Sequence, residues 1–311
     1  MRNAFSDSLI AAARANERVL LITGDHGYAL FDQFRNLFPK QYINAGIAEQ
    51  NMVGVAAGLA KSGFRPVVYA LSAFSPIRVL EQIKLDVCCD KLPVLFIGDG
   101  AGVVYSTLGV SHQSTEDVAA LRALPHMRIL SPADSHEMKA AMELAFATPT
   151  PVYLRMGKSD LGPVHNAPLK LEWGRLLPIC PGDGPLVFVA TGSLVNLAVK
   201  LAKDWPGSAV WSAPCLKPLD LESLVAACDR HRLVVTLEEH NILGGLGGAV
   251  AEILSQEHPL PICRIGVPDR FSRFCGSYSY LMREHGLDLD SARSQITAFT
   301  KKHDFKSAVR E

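Results

Sequence analysis

A carboxylate at the mouth of an apolar helix is the first feature with chemical potential in this chain of 311 residues. In INAGIAEQNMVGVAAGLAKSG, residues 43–63, Tyr42 and Ile43 belong to a short strand and Ala45-Gly46 turn it. Met52, Val53, Val55, Ala56, Ala57, Leu59 and Ala60 then make a helix apolar on most faces, the pattern of a buried helix. Glu49 falls in its first turn. The bland account is the helix dipole, which favours an anion there. The chemical account uses the same field: a carboxylate at a buried helix end can share a proton with a ring nitrogen. Other groupings have weaker claims. Glu238-Glu239-His240 offers metal-type donors, but at a strand end it reads more readily as a hydrogen-bonded or solvated loop. GGLGGAV, 244–250, has two glycines of a dinucleotide fingerprint and Val250 where the third belongs, so a tight turn into a helix fits it better. Arg155 closes the run VYLR at the carboxyl end of a strand, where ligands of open α/β sheets bind. A solvated surface cation would look the same. No GxSxG, HExxH or Walker loop is present.

The elements that must position these side chains follow from the apolar rhythm. Continuous apolar runs at 19–24, 41–46, 66–70, 93–98, 128–130 and 152–155 predict strands covered on both faces, as in a parallel sheet. Helical patterns lie between them at 3–15, 48–62, 76–90, 114–123 and 134–147. A Gly- and Pro-rich stretch breaks the rhythm and predicts a surface linker over 161–184. A second series follows, with strands at 185–191, 209–213, 232–239 and 261–267 and helices near 194–203, 219–229, 246–256 and 289–300. The expected fold class is therefore α/β: two doubly wound domains, 1–160 and 185–311, joined by that linker.

Composition narrows the function classes. The chain is 48% hydrophobic and 20% charged, with Lys+Arg and Asp+Glu in balance, so nothing favours a nucleic-acid partner. No apolar run is long enough to span a bilayer. The first residues lack the apolar core of a signal peptide. The 7 cysteines show no CxxC and no framework spacing, as expected for reduced thiols of a cytoplasmic protein.

GIAEQNMVGVAAGLAKSGFRPVVYA and SHQSTEDVAALRALPHMRILSPAD together resemble the pyrimidine-binding domain of transketolases and related thiamine-diphosphate enzymes. ATGS (190–193), LKPLD (216–220), VVTLEEHNILGGLGGAV (234–250) and RIGVPDRF (264–271) are similar to the transketolase C-terminal domain. The resemblance implies that Glu49 hydrogen-bonds N1′ of the cofactor's aminopyrimidine and favours the imino form that removes the thiazolium C2 proton. It implies that Phe74, in YALSAFSP, stacks on that ring, and that Asp25, in TGDHG, lies near the cofactor; a core-filling ring and a turn-forming Asp are the plain alternatives. His112, in SHQ, would contact the donor substrate, with Gln113 orienting it. Arg155 and Arg2 would bind a substrate phosphate, although Arg2 sits at a terminus where a solvated cation is the commoner outcome.

Something is missing as well. The family binds diphosphate through a metal, with GDG followed about thirty residues later by Asn supplying oxygen ligands. GDG occurs here at 98–100, but no Asn lies between Asn51 and Asn166. The resemblance thus implies the C-terminal subunit of a split transketolase. A separate N-terminal subunit would carry the diphosphate and Mg2+ (or Ca2+) site in an α2β2 assembly, with self-association of this chain through either domain. Glu49 and His112 would be the catalytic residues, and this chain would hold no metal. The reaction would move a two-carbon ketol unit between sugar-like substrates. Counting back from His112, Gly100 and Leu108 stand where sugar-phosphate transketolases carry His and Asp, so the substrate is expected to depart from the usual. Competing readings are the β subunit of a 2-oxo-acid dehydrogenase, whose chains have HSQ rather than SHQ, a deoxyxylulose-phosphate-synthase-like enzyme, and an inactive binding or regulatory subunit.

Overall fold

The computed structural model describes residues 1–158 and 160–303. The first domain is a sheet of strands β1 (Val19–Thr23), β2 (Tyr42–Asn44), β3 (Arg65–Leu71), β4 (Leu95–Asp99), β5 (Arg128–Leu130) and β6 (Val152–Met156). Helices α1 (Arg2–Ala15), α2 (Asp32–Leu37), α3 (Glu49–Lys61), α4 (Leu80–Gln82), α5 (Asp117–Arg122) and α6 (Ser135–Ala147) accompany it, and α4 runs on into a π-helical stretch, Ile83–Cys88. β1, β3, β4 and β6 are buried along nearly their whole length, which is why they read as unbroken apolar runs. Strand order is β5-β6-β4-β3-β1-β2, all parallel. α3 packs on it through Met52, Val53 and Ala56, each fully buried. Burying a side chain the size of Val or Met stabilises by about 1.5–3 kcal/mol.

The second sheet holds β7 (Leu177–Cys180), β8 (Leu186–Ala190), β9 (Ala209–Ser212), β11 (Leu233–Asn241) and β12 (Ile262–Val267); β10 (Cys215–Lys217) leaves it. Its order is β12-β11-β8-β9-β7, with β7 antiparallel at the edge. Helices α7 (Leu194–Leu201), α8 (Leu221–Cys228), α9 (Leu246–Glu257), α10 (Tyr278–Glu284) and α11 (Leu289–Lys302) belong to this half.

Two features depart from the expected plan. β10 crosses over and adds an antiparallel edge to the first sheet beside β5, so the two halves share a sheet. The stretch expected as a surface linker is a packed strap. Leu171 and Leu176 are buried, Leu169 and Trp173 lean on the first domain's core, and Trp173 Nε1 donates to Thr148 Oγ1 at 3.1 Å. The Arg128 guanidinium lies 4.6 Å above the Trp173 ring. β7 already belongs to the second sheet and contains Pro178, which an edge strand tolerates.

Candidate active site

The carboxyl ends of β1, β2 and β3 bring the predicted residues together. Asn44, the last residue of β2, organises the turns. Its Oδ1 accepts from Asp25 N at 3.1 Å and Gly46 N at 3.0 Å, and its Nδ2 donates to Asp25 Oδ1 at 3.3 Å. Gly46, at φ +73°, takes the left-handed conformation that lets the chain swing into α3. Asp25 is itself left-handed at φ 61° and exposed, so its visible work is in the turn.

Glu49 is the first residue of α3 and only 5% exposed. Its Oε2 accepts from Arg78 Nη1 at 3.1 Å. Its Oε1 is buried and has no partner, and a buried acceptor left unmade is costly. Arg78 also lies across Phe74, with Cζ 4.2 Å from the ring centroid. Phe74 in turn meets His112 edge-on, at 5.2 Å between centroids and 65° between planes. The His26 ring lies 6.2 Å from Phe74, and its Nδ1 is a second buried atom without a partner. His112 is exposed enough to reach solvent, and its Nδ1 lies 3.0 Å from Ser111 Oγ. Glu49, Phe74 and His112 therefore form one contiguous surface, reached from three separate segments. Arg78 and His26 belong to it, and sequence reasoning does not single them out. The spacing of Arg78, four residues past Phe74, is a signal, but the turn at 75–77 hides it in one dimension.

The remaining candidates are placed differently. Arg155 is 4% exposed and spoken for: Nε donates to Asp117 Oδ2 at 2.8 Å, and Nη2 donates to Ser114 O at 3.1 Å and Glu239 O at 2.8 Å. It ties the first domain to the second, so its guanidinium faces buried protein groups where a substrate phosphate was expected. Gln113 does not orient His112. It is buried, and its Oε1 accepts from Ser272 Oγ at 2.7 Å across the domain junction. Arg2, half exposed, lies 3.5 Å from Asp99 Oδ2, which also accepts from Tyr69 and Tyr105 hydroxyls at 2.8 and 2.9 Å. Burial and the Asp99 carboxylate push both phenols up, so they stay neutral donors. The glycines of the GDG stretch have packing roles. Gly98 makes room for Tyr153, whose hydroxyl would collide with a Cβ there. Gly100 has φ +73°, and Tyr105 fills the space its side chain would need.

The Glu238-Glu239-His240 cluster holds the junction. Glu238 accepts from Leu246 N and Gly247 N at 2.6 and 2.8 Å, capping α9. Burial raises its carboxyl to about 7 and lowers the His240 imidazole to about 4. Glu239 accepts from Val103 N, Ser193 Oγ and Tyr278 Oη at 2.9, 2.5 and 2.6 Å. Among the described residues no group of His, Cys, Asp and Glu is arranged to hold a metal, and no helix is long and apolar enough to cross a membrane. A hollow of about 550 Å³ lined by Ala12, Arg18, Gly63, Phe64 and Thr148 opens at the amino ends of the first sheet, away from Glu49.

Comparison with known proteins agrees with the two-domain α/β fold. Residues 1–163 match the transketolase pyrimidine-binding domain and 179–291 the transketolase C-terminal domain. An apulose-4-phosphate transketolase subunit of Phocaeicola vulgatus is 33% identical over 307 residues, covering 97% of each chain. A 6-deoxy-6-sulfo-D-fructose transketolase subunit of a Clostridium species is 30% identical over 311 residues, covering 98% of this chain and 96% of that one. Among solved structures, a split-gene transketolase described as an inactive beta4 tetramer superposes with a TM-score of 0.87 at 32% identity, covering 96% of this chain and 97% of that one. The chain belongs to the transketolase family and joins that family's pyrimidine-binding and C-terminal domains in one polypeptide.

Proposed function

We propose that this chain is one half of a thiamine-diphosphate-dependent ketol transferase, completed by a second chain that holds the diphosphate and its Mg2+. The observation that carries this is the buried, unpartnered Oε1 of Glu49, whose other carboxylate oxygen is held by the same Arg78 guanidinium that lies over the Phe74 ring, itself edge-on to His112. A heteroaromatic ring fits those groups: a carboxylate oxygen for a ring nitrogen and an aromatic face for the ring plane. Thiamine diphosphate, when bound, would supply the nucleophilic carbon that accepts and passes on a two-carbon unit. Glu49 would hold the proton shared with the pyrimidine nitrogen, and Phe74 would cover the ring. His112 would hold a donor substrate through its carbonyl or hydroxyl oxygen. Two relatives are named as transketolases of apulose 4-phosphate and of 6-deoxy-6-sulfo-D-fructose, which supports a ketose donor and an aldehyde acceptor here. The split-gene relative, described as inactive when it is a tetramer of beta chains, supports self-association and the need for a partner.

The test is a ketol-transfer assay of the purified chain with thiamine diphosphate and Mg2+, alone and with the diphosphate-binding chain that co-purifies with it. Turnover is expected only in the mixture and is expected to fall at least about a hundredfold in Glu49→Gln. Robust turnover by the chain alone, or an unaffected Glu49→Gln mixture, would sink the reading.

A further inference from the structure

The guanidinium of Arg78 touches two of the three candidate site residues at once. It leaves the 3-10 turn Ile77–Val79, donates through Nη1 to Glu49 Oε2 at 3.1 Å and lies with Cζ 4.2 Å over the Phe74 ring. The cation is 47% exposed while its carboxylate partner is 5% exposed. A pair of exposed side chains in such a contact contributes little, but here one partner is fixed at a buried helix start and the other side of the fork rests on a ring.

We infer that Arg78 is a positioning residue that presents the free oxygen of Glu49 and the face of Phe74 as one preformed seat for a planar heteroaromatic ring. The physics is rotational. A glutamate's terminal torsion is soft, so an unrestrained carboxylate offers either oxygen in a broad range of directions. Pairing Oε2 with Arg78 leaves Oε1 as the remaining acceptor, and that is the buried atom without a partner. Stacking on Phe74 fixes the ring's tilt from the same fork, a double duty that a planar guanidinium performs and an ammonium does not. Other ionisable groups near this unit are His26 and His112, which meet Phe74 from the loops after β1 and β4. Glu81, on α4, lies on an element packed against α3. None of these makes a hydrogen bond or ion pair with Glu49 in the structure. Ordering the seat before the ligand arrives removes a cost from binding. The inference rests on the reading of Glu49 as the ring contact, and deepens it.

The experiment has two arms. In the full chain labelled with 15N at arginine, the Arg78 side-chain Nε–H signal, identified by its loss in Arg78→Met, is expected to be shifted by the Phe74 ring. It should move toward the bulk arginine position in Glu49→Gln and in Phe74→Leu. A signal indifferent to both variants overturns the inference. In the second arm, thiamine diphosphate is titrated calorimetrically into the complex with the diphosphate-binding chain. Arg78→Met is expected to weaken binding about ten- to hundred-fold, the range of one charge-assisted hydrogen bond, with an unchanged urea midpoint, and Arg78→Lys to fall between. In the Glu49→Gln background Arg78→Met should add less than about twofold, since residues acting through one another are not additive. Equal effects in both backgrounds would show a merely structural role and overturn the inference. If Glu49→Gln weakens binding and Arg78→Met does not, the inference fails alone. If Glu49→Gln changes nothing, the reading of Glu49 fails instead.

Discussion

Replacing Arg155 with methionine separates the two accounts of that residue. As a substrate cation it would act on KM and leave stability alone. As the buried tie described above, it would act on folding. Asp117 is 0% exposed, and its Oδ2 accepts from both Arg155 Nε and the Tyr153 hydroxyl, at 2.8 and 2.7 Å. Its Oδ1 already lacks a partner. Methionine fills much of the volume but leaves a buried carboxylate without its counter-charge, and the carbonyls of Ser114 and Glu239 without their shared donor. Removing one partner of a buried pair costs about 3–5 kcal/mol, against a total stability of roughly 5–15 kcal/mol. At about 1.4 kcal/mol per decade, the unfolded fraction should rise roughly a hundred- to several-thousand-fold. Urea unfolding followed by tryptophan fluorescence reports both halves, because Trp173 lies on the first domain's core and Trp205 in the second. Arg155→Met with Asp117→Leu should recover much of the loss, since an apolar pair of similar volume is often as stable as the ions it replaces. A loss below about 1 kcal/mol, together with a raised substrate KM, would refute the argument and return Arg155 to the substrate.

Gly100→His, which restores the residue type carried by sugar-phosphate transketolases, should destabilise by roughly 2 kcal/mol or more, because it combines a left-handed backbone with a Cβ inside the Tyr105 ring; thermal melts check this, and a stable variant with Tyr105 undisturbed would contradict it. Glu238 and His240 oppose one another in pH. The folded carboxyl, raised from 4.5 to about 7, binds more protons than the unfolded one, so its contribution to stability falls as pH rises across that window. The folded imidazole, lowered from 6.5 to about 4, binds fewer, so its contribution rises across 4 to 6.5. Glu238→Gln should therefore expose a stability that climbs with pH by up to about 3 kcal/mol between pH 4 and 6.5, where the wild type is flatter; equal pH profiles in urea titrations would rule this out.

The two sheets were legible because their central strands are buried on both faces and leave unbroken apolar runs. What escaped was local and tertiary in origin. Three residues, Cys215–Lys217, make β10 only because β5 offers an edge to them, and a segment that short between prolines carries no period of its own. β7 sits in a Gly- and Pro-rich stretch whose composition argues for a loop, and its pairing with β9 overrides that. At the site, the helix-entry carboxylate stood out since a charge in an apolar run is unusual in one dimension. The fate of Arg155 did not, because a strand-end arginine facing solvent and one facing a buried aspartate have the same sequence. Charge type was visible; the partner across the domain junction was not.

That junction also gives the second domain a part in shaping the proposed site, although Glu49, Phe74 and His112 all lie in the first. His112 sits on a loop between β4 and α5 with little regular structure, the kind of segment that would be mobile if left alone. The loop is closed on itself by the Gly102–Ser114 bridge, and the second domain grips it repeatedly. Glu239 takes Val103 N, Ser106 O accepts from Gly276 N at 3.2 Å, Ser272 holds Gln113, and Asn241 N donates to Thr115 O at 2.7 Å. Gly109, at φ +78°, lets Cys275 approach closely enough that a Cβ would meet its Sγ at 2.8 Å. Each grip falls on the segment that carries His112 and none of them uses it. The polar residues that look chemical in the sequence, Glu239 and Gln113 among them, are therefore occupied in fixing where the imidazole stands relative to Phe74. A histidine proposed to meet a substrate oxygen needs its position held to a fraction of an ångström, and the second domain's hold on this loop supplies that constraint.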